Sequence, residues 1–158
     1  MLRILFVCMG NICRSPTAHG VMQHKLQLAR LAHRVEVESA GTHAYHVGEA
    51  PDRRSQQHAR LRGYDLSPQR AQAVQDTDFA RFDKILAMDA DNLQRLRERC
   101  PAAHQHKLGL LTDHCQRHPH ANAVPDPYYG GSAGFEHVLD LVEDACEQLI
   151  LEIQNTTP

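Results

Sequence analysis

Short apolar runs alternate along the chain with longer segments of helical periodicity. The runs predict strands, which cover residues 2–7, 35–39, 85–88 and 107–111. Apolar residues recur at helical spacing in the segments 16–32 and 132–153. Start and stop signals predict two further helices, over 52–61 with Gly63 after it and over 89–99 with Asp89 as its cap and Pro101 after it. Strands separated by helices indicate βαβ units, and therefore an α/β fold with a parallel sheet. Ligands of such sheets bind beyond the carboxyl ends of the strands.

The turn after the first predicted strand carries the clearest chemical motif. Residues 7–16 read VCMGNICRSP, in which Cys8 precedes Arg14 by six positions. Gly10 and Asn11 are residue types that accept a positive φ, so a tight turn can follow the strand. Backbone N–H groups in such a turn converge on an anion, and an arginine can grip two phosphate oxygens. The motif therefore predicts a phosphate site.

The residues that follow this turn predict the start of a helix. Ser15 is expected to be the N-cap and Pro16 the first helical residue. The positive end of a helix dipole, together with Arg14, favours a thiolate at Cys8. The alternative is that Cys8 is a small buried apolar residue at the end of a core strand, which leaves the polar residues around it without a shared purpose.

Composition narrows the class of protein. The length of 158 residues suits one domain, predicted over 1–158, and the net charge of −2 gives no reason to expect nucleic acid or an anionic membrane as a partner. The apolar runs are too short to span a bilayer, and no signal peptide is expected. Five scattered cysteines do not resemble a secreted disulfide framework, so a reducing, cytoplasmic location is predicted.

Cys13 has two interpretations. It lies close enough to Cys8 in sequence to form a reversible disulfide that protects Cys8 from irreversible oxidation. It is equally well explained as a buried spacer, and the sequence leaves both open.

A phosphoryl transfer from an aryl ester also needs a proton for the leaving oxygen. Asp126 is the best candidate, because prolines on either side stiffen its loop and Gly130 and Gly131 let the loop turn. Tyr128 and Tyr129 can form an aromatic wall for a flat substrate. The alternative is an ordinary proline turn with tyrosines over a core edge.

The chain resembles the low-molecular-weight protein tyrosine phosphatase family over almost its whole length. The resemblance rests on these stretches: VCMGNICRSP at 7–16, SAGT at 39–42, VG at 47–48, PD at 51–52, MD at 88–89 and DPYY at 126–129. It implies a three-layer α/β/α sandwich, in which helices flank a four-stranded parallel sheet and a phosphate-binding loop follows strand 1.

The same resemblance implies an activity and its residues. It implies hydrolysis of phosphotyrosine and aryl phosphates through a phosphocysteine on Cys8, with Arg14 binding phosphate and Asp126 as general acid and base. No metal or cofactor is required. Ser39 is expected behind the loop, and the residues expected to contact substrate are Met9, Gly10, Asn11, Ile12, Cys13, Ser15, Tyr45, Tyr128 and Tyr129.

The implied partners are phosphotyrosine proteins, with a tyrosine kinase of polysaccharide export as one candidate. Phosphate-like oxyanions are expected to inhibit.

Two departures from the family pattern bear on the pocket. Many members place a histidine near the segment 67–72, where this chain has none, so a different brace for the loop is expected. Tyr45 stands where an aromatic usually lines the mouth, in a chain without tryptophan.

Related chemistries are less well matched. Arsenate reduction on this fold needs two further cysteines near the third strand, and residues 85–89 contain none. A relative that removes phosphate from arginine is similar in this loop but has threonine at the position of Ile12. The apolar side chain of Ile12 suits an aromatic ring better, so phosphotyrosine is favoured over phosphoarginine. A phosphotyrosine-binding module without catalysis would gain nothing from keeping Cys8, Arg14 and Asp126 together.

A metal-binding module is an alternative of a different class. Twelve histidines are many for this length, and His114, Cys115, His118 and His120 have spacing that can ligate zinc or nickel. No Cys-x2-Cys pair accompanies them, so exposed loop histidines are the favoured interpretation.

Overall fold

The computed structural model describes residues 1–128 and 130–156, so Tyr129 lies outside the described residues. Four strands, β1 to β4, span Leu2–Cys8, Val35–Gly41, Lys84–Ala87 and Leu108–Leu110. Five helices, α1 to α5, span Arg14–Leu28, Arg53–Leu61, Asp78–Arg81, Ala90–Arg99 and Ser132–Thr156. Two 3₁₀ turns, Ala102–Lys107 and Leu111–His114, flank β4.

The strands form one parallel sheet in the order β2-β1-β3-β4. The chain leaves β1 toward β2 on one side and returns to β3 on the other, so the strand order reverses between β1 and β3. Ligands of open α/β sheets bind beyond the strand ends at such a reversal. The end of β1 is where Cys8 lies.

The alternation of side chains in β1 divides the interior into two layers. Ile4 and Phe6 pack toward the apolar faces of α1 and α5. Leu5 and Val7 point to the opposite face, where they meet residues of α3 and α4. Both faces of the sheet are covered by helices, which confirms the predicted three-layer α/β/α sandwich with a four-stranded parallel sheet.

Helix α1 corrects the predicted start of the first helix. The helix begins at Arg14, and its N-cap is Cys13 without a side-chain cap hydrogen bond. Ser15 is not the cap because its hydroxyl lies against Cys8 and Asn11. Pro16 is tolerated at the third helical position, where its missing N–H would have no intrahelical acceptor.

The same helix ends four residues before its predicted end. Arg30 adopts φ 59°, and the N–H of Leu31 donates to the carbonyl of Leu26 at 2.8 Å. These features form a left-handed helix cap. The early end was missed because no glycine marks it.

Other boundaries follow the local signals. Asp52 caps α2 by accepting hydrogen bonds from the backbone of Arg54 and Ser55, and Gly63 closes the helix with φ 90°. Asp89 caps α4 through the N–H of Asn92 at 2.8 Å. Helix α3 and the two 3₁₀ turns were not predicted, because each is too short to show a hydrophobic period.

Among the described residues, no helix is both long enough and apolar enough to cross a bilayer.

Candidate active site

The turn between β1 and α1 forms the floor of a cleft of about 360 Å³ at the carboxyl edge of the sheet. Its walls come from the loop after β2 and from the segment before α5. The cleft is lined by Cys8, Met9, Gly10, Ile12, Cys13, Arg14, Tyr45, His46, Asp126 and Tyr128. The structure therefore brings together the predicted nucleophile, the predicted phosphate ligand and the predicted acid.

Two hydrogen-bond donors converge on the Cys8 sulfur. The Asn11 N–H donates to Sγ at 3.3 Å, and the Ser15 hydroxyl lies 3.0 Å from it. Ser15 Oγ already accepts from Asn11 Nδ2 at 2.8 Å, so its own proton is available to the sulfur. The hydroxyl acts on sulfur rather than as a helix cap.

Asn11 fixes the shape of the turn. Its backbone adopts φ 58°, a left-handed conformation that asparagine tolerates better than most residues. Its side-chain amide donates to Ser39 Oγ at 2.9 Å as well as to Ser15, and its Oδ1 accepts from the Gln72 N–H at 2.9 Å. Asn11 and Ser15 are buried behind the loop and are not among the side chains that line the cleft. Ser39 belongs to the same network.

A glutamine and a histidine occupy the region where the family histidine is absent. Ser39 Oγ donates to Gln69 Oε1 at 3.3 Å, and the Gln69 amide donates to the carbonyl of Pro16 at 2.9 Å. His19, from α1, places Nδ1 3.4 Å from Ser39 Oγ. Burial lowers the pKa of His19 to about 4, so this ring is neutral at pH 7. The loop is thus braced by a neutral amide and a neutral imidazole.

Arg14 is buried and held at one end of its guanidinium. Nη1 donates to Asp89 Oδ2 at 2.6 Å and to the carbonyl of Val124 at 3.1 Å. Burial opposes the charge, but Cys8 and Asp89 outweigh it and raise the pKa of Arg14 above its ordinary value. The contacts leave Nη2 facing the cleft, 3.7 Å from Asp126 Oδ2.

Asp126 stands at the mouth of the cleft on an irregular segment. Its Oδ1 accepts from the Tyr128 N–H at 3.0 Å, while Oδ2 faces Arg14. The carboxylate is about one-third exposed. A group placed this way can exchange protons with both a substrate and solvent.

Cys13 is a thiol of another kind. Burial, with a further contribution from the charge of Asp52, raises its pKa to about 12. It is protonated at neutral pH, and the structure records it and Cys8 as free cysteines.

Aromatic groups surround the opening. Tyr45 is exposed and stacks on His43 with ring centroids 5.0 Å apart. Tyr128 also lines the cleft, whereas Tyr129, which was expected beside it, lies outside the described residues.

Three residues of the site were not recognised from the sequence in these roles. Asp89 was predicted only as a helix cap, and it also orients Arg14. His46 lines the cleft and pairs through Nδ1 with Glu49 Oε2 at 2.7 Å. Its place beside Tyr45 in the same polar loop was the available signal.

Gly41 is the third of these residues. It ends β2 beside the turn of residues 8–15, which is called the phosphate loop from here on. A Cβ at this position would lie 2.7 Å from the Met9 carbonyl oxygen and 3.2 Å from the Asn11 nitrogen. The distance to the Met9 oxygen is too short for carbon, and the Asn11 nitrogen would have to move by a few tenths of an ångström, so glycine is the residue that suits this close approach. Its place in the SAGT stretch at 39–42 was the only signal.

The histidines considered as metal ligands have other contacts. His114 Nδ1 lies 3.1 Å from Glu152 Oε1, and His118 Nδ1 lies 2.7 Å from Asp144 Oδ2. Over residues 1–128 and 130–156, no group of three or more His, Cys, Asp or Glu is arranged to hold a metal ion.

Comparison with known proteins gives consistent matches along the chain. The model of the low molecular weight phosphotyrosine protein phosphatase family matches residues 3–157. A putative low molecular weight protein-tyrosine-phosphatase of Synechocystis is 46% identical over 153 residues, covering 96% of each chain. The crystal structure of a protein tyrosine phosphatase from Entamoeba histolytica, with Hepes in its active site, superposes with a TM-score of 0.94 at 42% identity, covering 98% of each chain.

A third match is a structure with a ligand. Vibrio vulnificus Wzb in complex with benzylphosphonate superposes with a TM-score of 0.83 at 27% identity, covering 96% of this chain and 98% of that one. With the cleft, the turn and the sheet order, these matches show that the chain belongs to the low molecular weight phosphotyrosine protein phosphatase family and is an enzyme of that family.

Proposed function

We propose that this chain hydrolyses phosphotyrosine in proteins, and aryl phosphates generally, through a phosphocysteine on Cys8. The observation that supports this most directly is the convergence of the Asn11 N–H and the Ser15 hydroxyl on Cys8 Sγ, under a cleft that also contains Arg14 and Asp126. Donors placed around a sulfur stabilise it as a thiolate, which is the nucleophilic form.

In the first step the Cys8 thiolate attacks phosphorus, and the bond from phosphorus to the phenolic oxygen breaks. Asp126 gives its proton to the departing phenolate. Arg14 and the amides of the loop stabilise the equatorial oxygens. The products are a phenol and a phosphocysteine.

In the second step water attacks the phosphocysteine. The Asp126 carboxylate takes a proton from that water, the sulfur–phosphorus bond breaks, and inorganic phosphate leaves. Cys8 returns as a thiolate stabilised by Ser15, and Asp126 is protonated again. No oxidant or further reactant enters the cycle.

The lining of the cleft favours an aryl substrate. Ile12, Tyr45 and Tyr128 offer apolar and aromatic contacts to a flat ring. Cys8 and Cys13 are the two thiols among the described lining residues, while Cys100 and Cys115 are buried elsewhere. A disulfide relay for arsenate reduction therefore has less support.

The direct test is Cys8→Ser, with Cys100→Ser as a control at a buried thiol away from the cleft. We expect Cys8→Ser to abolish turnover of p-nitrophenyl phosphate and of a phosphotyrosine peptide, with circular dichroism unchanged. Cys100→Ser should retain activity. Substantial activity in Cys8→Ser would contradict the assignment of Cys8 as the nucleophile.

Two further arms separate the alternatives. Vanadate, a phosphate-like oxyanion, should inhibit the wild type, and EDTA should not. A phosphoarginine peptide hydrolysed faster than the phosphotyrosine peptide would instead indicate phosphoarginine as the substrate.

A tyrosine kinase of polysaccharide export remains a predicted partner, and a cytoplasmic location remains a prediction.

A further inference from the structure

We propose that Arg54 is a positioning residue that holds the Asp126 segment against the phosphate-binding loop. The inference rests on the proposed function, because it assigns Arg54 an effect on general-acid catalysis. Arg54 lies near the start of α2 and is not among the lining residues of the cleft.

Arg54 holds the acid segment through the backbone of Tyr128. Its Nη2 donates to the Tyr128 carbonyl at 2.9 Å, and the N–H of the same residue donates to Asp126 Oδ1 at 3.0 Å. Tyr128 is thus hydrogen-bonded on one side to the guanidinium and on the other to the carboxylate. A shift of the Tyr128 backbone would therefore move the acid.

The guanidinium also contacts two aromatic rings. It lies 5.4 Å from the centroid of Tyr128, which lines the cleft, and 4.8 Å from that of Phe135, which is buried in α5. Both distances are within the range of cation–π attraction. Arg54 therefore holds the ring of Tyr128 as well as its carbonyl.

The same guanidinium also ties Arg54 to the phosphate loop through Asp52. Arg54 Nη2 and Nε donate to the two carboxylate oxygens of Asp52 at 3.1 and 3.3 Å. The Asp52 N–H donates to the carbonyl of Ile12, inside the loop, at 2.7 Å. Burial alone would raise the pKa of Asp52, but hydrogen bonds from Arg54 and Ser55 outweigh it and lower that pKa, so the pair is ionised at neutral pH.

These contacts form a continuous connection from Ile12 through Asp52, Arg54 and Tyr128 to Asp126. Asp126 needs such support, because it is partly exposed on a segment without helix or strand. Arg14 attracts one of its oxygens toward the floor of the cleft, 3.7 Å away. The contact with Tyr128 holds the other oxygen, so the carboxylate keeps one orientation.

The test compares Arg54→Met with Arg53→Met. Arg53 is the preceding residue, and it is exposed. Methionine keeps the aliphatic stem and removes the guanidinium. The readouts are kcat/KM for phenyl phosphate and for p-nitrophenyl phosphate, whose leaving group depends less on an acid.

We expect Arg54→Met to lower kcat/KM about tenfold for phenyl phosphate and less than about threefold for p-nitrophenyl phosphate, since small displacements of a general acid remove part of its contribution. Arg53→Met should match the wild type on both. In an Asp126→Asn background, Arg54→Met should cause no further loss, because the group it positions no longer supplies a proton. Arg54→Lys should recover part of the loss.

Three outcomes would overturn the proposal: Arg54→Met equal to Arg53→Met, an equal loss on both esters, or an undiminished loss in the Asp126→Asn background. Thermal unfolding checks the fold. If Arg54→Met does not fold, the same comparison is made between Arg54→Lys and Arg53→Lys. Failure of the proposed function is visible separately. In that case Asp126→Asn alone would lower kcat/KM by the same factor for phenyl phosphate and for p-nitrophenyl phosphate.

Discussion

Cys8 and Cys13 lie five residues apart in one loop and have different surroundings. Two donors converge on the Cys8 sulfur, which lines the cleft. Cys13 is buried beside Asp52, and its pKa is raised to about 12. The loop therefore places the proposed nucleophile next to a thiol that stays protonated. Whether the two join in a disulfide under oxidation stays a prediction.

Asp126→Ala is the residue-scale prediction. We expect kcat/KM to fall about 10²–10⁴-fold for phenyl phosphate, and much less for p-nitrophenyl phosphate, because only a poor leaving group needs the proton. Steady-state kinetics across a series of aryl phosphates measures this as a steeper dependence on the leaving group. Equal losses across the series would mean that Asp126 shapes the segment without donating a proton.

Residue-scale predictions from the sequence depended on where the chemistry was encoded. Cys8 and Arg14 could be predicted together because both lie in one contiguous turn, and both line the cleft. The role of Asp89 toward Arg14 was not found, because the two residues are 75 positions apart and meet only when β1 and β3 pair. Residues that act across strands leave little trace in local spacing.

At the scale of elements, the junction between β2 and the phosphate loop decides how the loop is held. The Thr42 N–H donates to the Cys8 carbonyl at 2.9 Å, and the His43 N–H donates to the Met9 carbonyl at 3.0 Å. Gly41, just before them, allows the two backbones to approach this closely. The end of β2 therefore supports the floor of the cleft directly.

Gly41→Ala tests this junction. A new Cβ would press on the Met9 carbonyl and the Asn11 nitrogen, both backbone atoms that cannot turn aside. We expect kcat/KM to fall at least about tenfold and inhibition by inorganic phosphate to weaken in parallel, because the amides of the loop shift. Both are measured with p-nitrophenyl phosphate.

Gly109→Ala, in β4, is the matched control. Its Cβ would contact only Leu86 Cδ2, at an ordinary 3.8 Å, so activity should be retained. If Gly41→Ala bound phosphate like the wild type, the close approach would not matter to the site.

On the scale of the whole molecule, stability should depend on pH through His19. Burial lowers the pKa of His19 to about 4, against an ordinary value of 6.5, although the charge of Glu38 and a hydrogen bond with Gln69 oppose that shift. Between about pH 6.5 and pH 4 the His19 ring is therefore protonated in the unfolded chain but neutral in the native state. Stability contributed by the neutral ring is complete above pH 6.5 and declines as the pH falls toward 4.

We expect the free energy of unfolding to fall about 2 kcal/mol more in the wild type than in His19→Gln between pH 7 and pH 5. Urea denaturation of both proteins at the two pH values measures the difference. Identical losses would show that His19 does not titrate differently in the two states.

The sequence by itself determined the class of the fold and the position of the turn between β1 and α1, and it predicted Cys8, Arg14 and Asp126, which the structure brings together in the cleft. It could do so because alternation of polarity and a contiguous turn are local properties of the chain, and the family motifs extend them. Helix α1 shows what local patterns do not predict. Its start depends on the contact between the Ser15 hydroxyl and Cys8, and its end depends on the left-handed conformation of Arg30.

Only the tertiary structure decided how these residues are supported. Asp89 accepts a hydrogen bond from Arg14, and Gln69 and His19 contact Ser39. Gly41 leaves room for the phosphate loop. These contacts form because the parallel sheet brings the ends of its strands to one edge. Such contacts join segments that are far apart in sequence. Their geometry is a property of packing, which no local pattern along the chain specifies.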